Sequence, residues 1–282
     1  MQPPRVLLGQ WPTPVRAAPE LRADLWMKDE GACSPLYGGN KVRKLEFLLA
    51  AAGETVLTVG ALGSHHVLAT ALFATRLGKR VVALCLPRPH SPHAARVQAV
   101  TDRLATCEVL ASVTEVGPRI AAYVATGATY IPAGGSNALG ALGWELAGVE
   151  LAEQIAHGAL PEPLRIFLPM GTAATAAGLA TGLRRAGVRS EVIGVRVVPE
   201  FVTPAARVHE LGGPVTLDDG WLGEGYGVPT PEAEAAVALA ARAGLTLETT
   251  YSGKALAAAL AAPPGPNLWW NTLSTVPLPD LG

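Results

Sequence analysis

From residue 55 onward, short apolar and β-branched runs alternate with longer Ala- and Leu-rich stretches, and a glycine-containing junction separates most pairs. The short runs fit strands and the longer stretches fit helices, which is the alternation of a parallel sheet built from βαβ units. Strands are predicted at residues 55–59, 80–86, 165–168, 192–198 and 267–271, with helices in the gaps, as at 67–77 and 139–155. Segments such as VVALCL and VIGVRVV are apolar throughout, as expected of strands covered on both faces. Adjacent Trp269 and Trp270 on a strand put one ring on each face, so both are assigned to core packing.

Open parallel sheets bind ligands where strands hand over to helices. Four such junctions, and the segment around Lys41, carry candidate chemistry. Tyr37-Gly38-Gly39-Asn40-Lys41 places two glycines and an Asn cap before a helix whose apolar face is Val42, Leu45, Leu48 and Leu49. Lys41, Arg43 and Lys44 then crowd the helix end where the dipole disfavours cations. That crowding is expected to lower the pKa of Lys41 and leave more of its amine neutral and nucleophilic. Gly171, Thr172, Ala173, Ala174 and Thr175 follow a buried strand and open a helix, so their amides and hydroxyls suit a phosphate, although a turn capped by Thr172 fits equally. Ser64, followed by His65 and His66, is an expected helix cap beside a second anion position. Residues 132–140 form a polar, glycine-bearing loop, and Tyr251-Ser252 puts two hydroxyls before a last helix.

The chain has 282 residues, 49% hydrophobic and 16% charged, enough for a large core in one or two domains. Its formal net charge of -1 offers no broad attraction to nucleic acid or membrane, so a small-molecule partner leads. The start has no secretory leader and no apolar run reaches bilayer length, so a cytoplasmic protein is expected. Three cysteines without paired spacing suggest neither a disulfide framework nor zinc. His90 and His93, each preceded by a proline and without a nearby carboxylate or thiol, are assigned to a solvated loop rather than a metal.

GGNKVRKLEFLLA and IPAGGSNALGALGW, in this order with the other junctions, resemble the pyridoxal-phosphate (PLP) enzyme family that contains D-cysteine desulfhydrase and 1-aminocyclopropane-1-carboxylate (ACC) deaminase. The resemblance runs over about residues 29–271. It implies an α/β chain of the two-domain tryptophan-synthase-β-like fold, fold type II, with parallel-rich twisted sheets flanked by helices. Residues 1–44 and 138–282 would form the large PLP-binding domain, 45–137 the smaller one, and the assembly a homodimer. Lys41 would carry the cofactor as a Schiff base and, once freed by an amino-acid substrate, act as the base. Asn40, His65, residues 171–175 and Ser252 would contact PLP, with Ser252 facing the pyridine nitrogen. Ser64, His65, His66 and Tyr251 would meet the substrate, with Ser64 and Tyr251 counted as catalytic.

His65 replaces the Asn that such enzymes place beside the cofactor's phenolic oxygen, and Leu273-Ser274 replaces Gly-Gly. Ring opening of ACC goes with a Glu after the active-site tyrosine, where this chain has Ser252. The resemblance therefore implies β-elimination from D-cysteine or a related amino acid, giving pyruvate, ammonia and sulfide, with ACC deamination as runner-up. A PLP-binding protein with little catalysis is the further alternative. A dinucleotide enzyme is disfavoured, because Gly60-x-x-Gly63 lacks the G-x-G-x-x-G spacing.

Overall fold

The computed structural model describes residues 3–89 and 91–280. Among them, ten strands form two sheets. The larger runs β1 (Val15–Ala17), β2 (Leu25–Asp29), β10 (Asn267–Asn271), β7 (Arg165–Met170), β8 (Glu191–Arg196), β9 (Thr216–Asp218), and only the β1–β2 pairing is antiparallel. The smaller runs β5 (Thr106–Val109), β4 (Arg80–Leu86), β3 (Thr55–Ala61), β6 (Thr129–Ile131), parallel throughout. All five strands expected from apolar runs are present.

Helices cover both sheets. On the larger one, α5 (Ala138–Ala156) and α6 (Ala174–Arg185) pack on the face that receives Trp270. On the opposite face, α8 (Pro231–Arg242) and α9 (Ser252–Ala261) pack with Trp269. The two tryptophans thus enter different cores, as their adjacency on a strand requires. Close approach of α5 and α6 depends on glycine: a Cβ on Gly182 would lie 2.1 Å from the Glu145 carbonyl oxygen. On the smaller sheet, α1 (Lys41–Leu48), α2 (His65–Arg76) and α3 (Pro92–Asp102) share one core, and α4 (Val116–Ala125) covers the other face. Val42, Leu45, Leu48 and Leu49 all enter that first core.

One loop assignment is corrected. His93 lies in the first turn of α3, because Ser91 caps that helix through the Ala94 amide (3.1 Å) and Pro92 occupies its first turn. There a missing N–H costs nothing, so the proline starts the helix instead of breaking it. His90 lies outside the described residues. A short α7 (Ala205–Leu211) completes the helices. No helix among the described residues is long and apolar enough to cross a membrane.

β10 pairs with β7 only as far as Trp269 opposite Phe167, and the two chains then part. Pro169, which has no N–H to donate, falls beyond that point. The fork leaves room at the carboxyl end of the sheet, where the turns after Met170 and Asn271 begin.

A buried ion cluster fixes α1 over the larger sheet. Arg43 donates from Nε and Nη2 to both oxygens of Glu30 (2.8 and 2.9 Å) and from Nη1 and Nη2 to both oxygens of Glu150 (3.0 Å each). Lys28 Nζ donates to Glu150 (2.6 Å), and the Trp11 ring lies 3.8 Å from the guanidinium. Burial would raise the Glu150 pKa, but Arg43 and Lys28 outweigh it and hold it below the usual carboxylate range. Two cations and two carboxylates balance, so removing one strands a charge. Replacing Glu30 by Ala is expected to cost about 3–5 kcal/mol of stability, measured by denaturant unfolding; a loss below about 1 kcal/mol would mean that the cluster does not anchor α1.

Candidate active site

A cavity of about 580 Å³ opens at the carboxyl ends of β3, β4, β7 and β10, between the two sheets. Parallel sheets bind ligands at this end. All the sequence-predicted site residues line it except Ala174 and Ser252.

Lys41 begins α1 and points its amine into the cavity wall, where Nζ donates to Asn40 Oδ1 (2.7 Å). Asn40 in turn donates to Thr175 Oγ1 (3.2 Å). Asn40 has helical backbone angles and does not cap α1, so its amide links the lysine to the α6 turn. Gly39 adopts φ +87° against the Thr272 carbonyl, 2.7 Å from where a Cβ would lie, and no larger residue fits that turn. Burial lowers the Lys41 pKa to about 8. The crowding of cations is not the cause. Arg43 turns into the ion cluster, and Lys44 donates to the Gly134 carbonyl (2.9 Å). It is Lys44 that is pushed well down, by burial and then by the Lys41 charge.

The turn at residues 171–175 opens α6 with no side chain of its own capping it, so Thr172 is not a cap. Ala173 takes φ +69°, a left-handed conformation unusual for alanine, which bends the chain into a cup. Its neighbours brace it: Ser136 Oγ accepts from the Ala174 amide (3.0 Å) and donates to the Thr172 carbonyl, and Thr203 donates to the Gly171 carbonyl (2.6 Å). The Ala174 amide is therefore already engaged. A twelve-residue helix beginning at the cavity, with the Thr175 hydroxyl beside it, suits an anion such as the cofactor's phosphate. With a buried amine across from it at Lys41, the site fits PLP.

Ser64 caps α2 as expected, its Oγ accepting from the His66 and Val67 amides (3.2 and 3.5 Å). Its own amide donates to Ala61. The hydroxyl proton is what the turn has left to give a substrate. His65 is bonded at both ring nitrogens, Nδ1 to the Tyr37 hydroxyl and Nε2 to His93 Nε2 (2.9 Å). Burial, then the charges of His93, Lys41 and Arg88, lower its pKa to about 3, so the ring is neutral at physiological pH. It walls the cavity, with no ring nitrogen free for the phenolic oxygen that an Asn would meet. His66 is buried, with Nε2 bonded to Thr58 Oγ1 (2.9 Å).

Ser252 does not face the cavity. Its hydroxyl donates to the carbonyl and carboxylate of Glu248 (3.1 Å each) and accepts from the Glu248 amide (3.0 Å), because the α9 turn needs those partners. The cavity wall there carries Glu248 itself and Tyr251, whose hydroxyl donates to that of Tyr226 (3.0 Å). Burial, reinforced by Tyr226, pushes the Tyr251 pKa well up and keeps the phenol protonated.

Among the titratable residues of the cavity, Arg88, Tyr226 and Glu248 escaped the sequence reading, and His93, assigned there to a loop, also lines the wall. Arg88 stands two residues past the end of β4, a position that marks ligand contacts in parallel sheets. Tyr226 sits between two glycines, which was its one available signal. Glu248 had none.

The profile of the "Pyridoxal-phosphate dependent enzyme" family matches residues 6–266. The chain is 37% identical to nocardicin C-9' epimerase of Nocardia uniformis subsp. tsuyamanensis, over 96% of this chain and 93% of that protein. It is 36% identical to D-cysteine desulfhydrase of Klebsiella pneumoniae (strain 342), over 90% of this chain and 87% of that one. Among solved structures, an ACC deaminase homologue superposes with a TM-score of 0.80 at 26% identity, covering 96% of this chain and 91% of the other. With a cavity that joins a buried lysine to a helix start, the chain belongs to the pyridoxal-phosphate-dependent enzymes of fold type II, and pyridoxal phosphate is its cofactor.

Proposed function

We propose that this enzyme eliminates the β-substituent of a small amino acid, with D-cysteine as the leading substrate, and that Lys41 is the lysine that holds the cofactor. The observation that carries this reading is the Lys41 amine in the cavity opposite the α6 turn, with a pKa of about 8. Bound PLP would supply the carbonyl that captures the substrate amine and the conjugated ring that spreads the electron pair left at the α-carbon. The protein would supply the rest. Gly171, Thr172, Ala173 and Thr175 hold the phosphate. Asn40 orients the lysine, and the Ser64 hydroxyl donates to the substrate carboxylate. Lys41, with a pKa near neutrality, takes the α-proton. The C–S bond then breaks and sulfide departs; with one water the products are pyruvate, ammonia and sulfide.

The one carboxylate in the wall around Tyr251 is held by its own turn. Glu248 accepts from the amides of Thr250, Tyr251 and Ser252 (2.7, 2.9 and 2.8 Å) and from the Ser252 hydroxyl. That supports elimination over ACC ring opening, which the resemblance ties to a Glu after the tyrosine. Epimerisation is the second reading, supported by the relative named for that reaction and by the protonated Tyr251 hydroxyl, a group able to return a proton. Both begin by removing the α-proton. We further propose that residues 45–137, which contain the whole smaller sheet, form the smaller domain, that the enzyme is a homodimer, and that it works in the cytoplasm.

Borohydride reduction and peptide mapping are expected to place a pyridoxyl group on Lys41. In cofactor-free protein, labelling of that amine by an acylating reagent should rise with pH around a midpoint of about 8, below the ordinary lysine value of 10.5. An adduct on another lysine would refute the assignment. Replacing Thr172 and Thr175 together by Val should weaken PLP retention by about tenfold or more in equilibrium dialysis; unchanged retention in a folded protein would put the phosphate elsewhere. With D-cysteine, L-cysteine and ACC compared side by side, pyruvate and sulfide from D-cysteine should appear fastest. Faster 2-oxobutyrate from ACC would reverse the ranking, and inversion of configuration without sulfide release would select the epimerase reading.

A further inference from the structure

Arg88 lines the same cavity as Lys41, and among the described residues no carboxylate pairs with it. Its guanidinium stacks on the Tyr226 ring, 5.2 Å from the centroid. The Gly227 backbone closes over it, so that a Cβ there would lie 2.8 Å from Nη2. Stacking on a ring fixes the plane of the fork without neutralising it. Its Nε is sealed from water and makes no hydrogen bond, and Arg88 forms no ion pair among the described residues. The buried arginines are matched: Arg43 by Glu30 and Glu150, Arg196 by Asp219. Glu248, the acid on the same cavity, turns to its own loop, Oε1 accepting from the Tyr251 and Ser252 amides and the Ser252 hydroxyl and Oε2 from the Thr250 amide, and it makes no ion pair with Arg88.

A partly desolvated guanidinium held rigid at a binding cavity is costly unless an anion arrives to meet it. The cofactor's phosphate has the α6 turn, and the substrate carboxylate has Ser64. We propose that Arg88 binds a further anion, carried on the side chain of the amino-acid substrate, and so favours side chains that bear a negative charge, a carboxylate or the thiolate form of cysteine. This rests on the reading of Lys41 as the cofactor lysine, because that reading places the substrate amine. His65 lies within electrostatic reach of both cations, so both act in one space. A planar fork suits a carboxylate, which it grips through two parallel N–H···O bonds.

The test uses holoenzyme already checked by absorbance and borohydride mapping for cofactor on Lys41. It is titrated with aspartate against 2-aminobutyrate and glutamate against 2-aminopentanoate, in both configurations, with binding read from the cofactor absorbance. Thermal melting with succinate against propionate gives a second readout that needs no bond to the cofactor. The wild type should bind an acidic amino acid about tenfold tighter than its neutral counterpart, and succinate should raise the melting temperature more than propionate does. Arg88→Gln should abolish both preferences, and Arg88→Lys should keep part of them. Equal affinities in the wild type would overturn the proposal. So would an Arg88→Gln variant that weakens both series by the same factor, which assigns the arginine to the α-carboxylate, or one that loses cofactor, which assigns it to the phosphate. A colourless protein without the Lys41 adduct would instead overturn the cofactor reading, with the melting comparison still reporting on Arg88.

Discussion

Everything at the active site hangs on a neutral cluster of charges buried beneath it. Arg43 reaches Glu30, at the end of β2, and Glu150, on α5, through four N–H···O contacts of 2.8–3.0 Å. Two residues earlier on α1, Lys41 begins the helix. The position of its amine is therefore set by the same guanidinium that clamps α1 to the larger sheet. Such a cluster is weak evidence of net stability, since desolvation offsets most of its attraction. Its value is geometric. Bidentate arginine contacts tolerate little rotation or sliding, which a purely apolar interface would permit.

Two sheets divide the work at the cavity. The larger contributes the α6 turn and Tyr251, and the smaller contributes Ser64, His65 and, past β4, Arg88 and His93. Helix α1 bridges them, packing its apolar face on the smaller sheet while Arg43 enters the larger one's charge cluster. Lys41 lies at the seam. Burial at that seam lowers its pKa to about 8, so its amine can lose a proton near neutrality because of where it sits. The neighbouring cations contribute little to that shift, since Arg43 faces inward to its carboxylates.

What could be read from the residues followed their signal strength. β3, β4, β7, β8 and β10 were legible because each is a continuous apolar run buried on both faces. β1, β6 and β9 have three residues each and β5 has four, too few for periodicity to register. β2 was hidden by Lys28, a charge at a core position that Glu150 and Gln154, far along the chain, make tolerable. Pro92 was read as a breaker when it was a helix starter. At the site, Lys41, Ser64 and the 171–175 turn lie beside glycines or caps and were visible locally. Ser252 looked available because a hydroxyl before a helix resembles a ligand, and nothing nearby signalled that Glu248 would claim it. Arg88 and Tyr226 meet only in three dimensions.

The place of β10 bears on how the chain is made. It is the last strand in sequence, yet it lies between β2 and β7, near the middle of the larger sheet. On the ribosome, β2 emerges early and waits with an open edge until β10 has been synthesised. The smaller sheet, built from one uninterrupted stretch, can close long before that. Throughout translation the larger half of the enzyme is thus a sheet with its centre missing, and exposed strand edges of that kind are what chaperones shield.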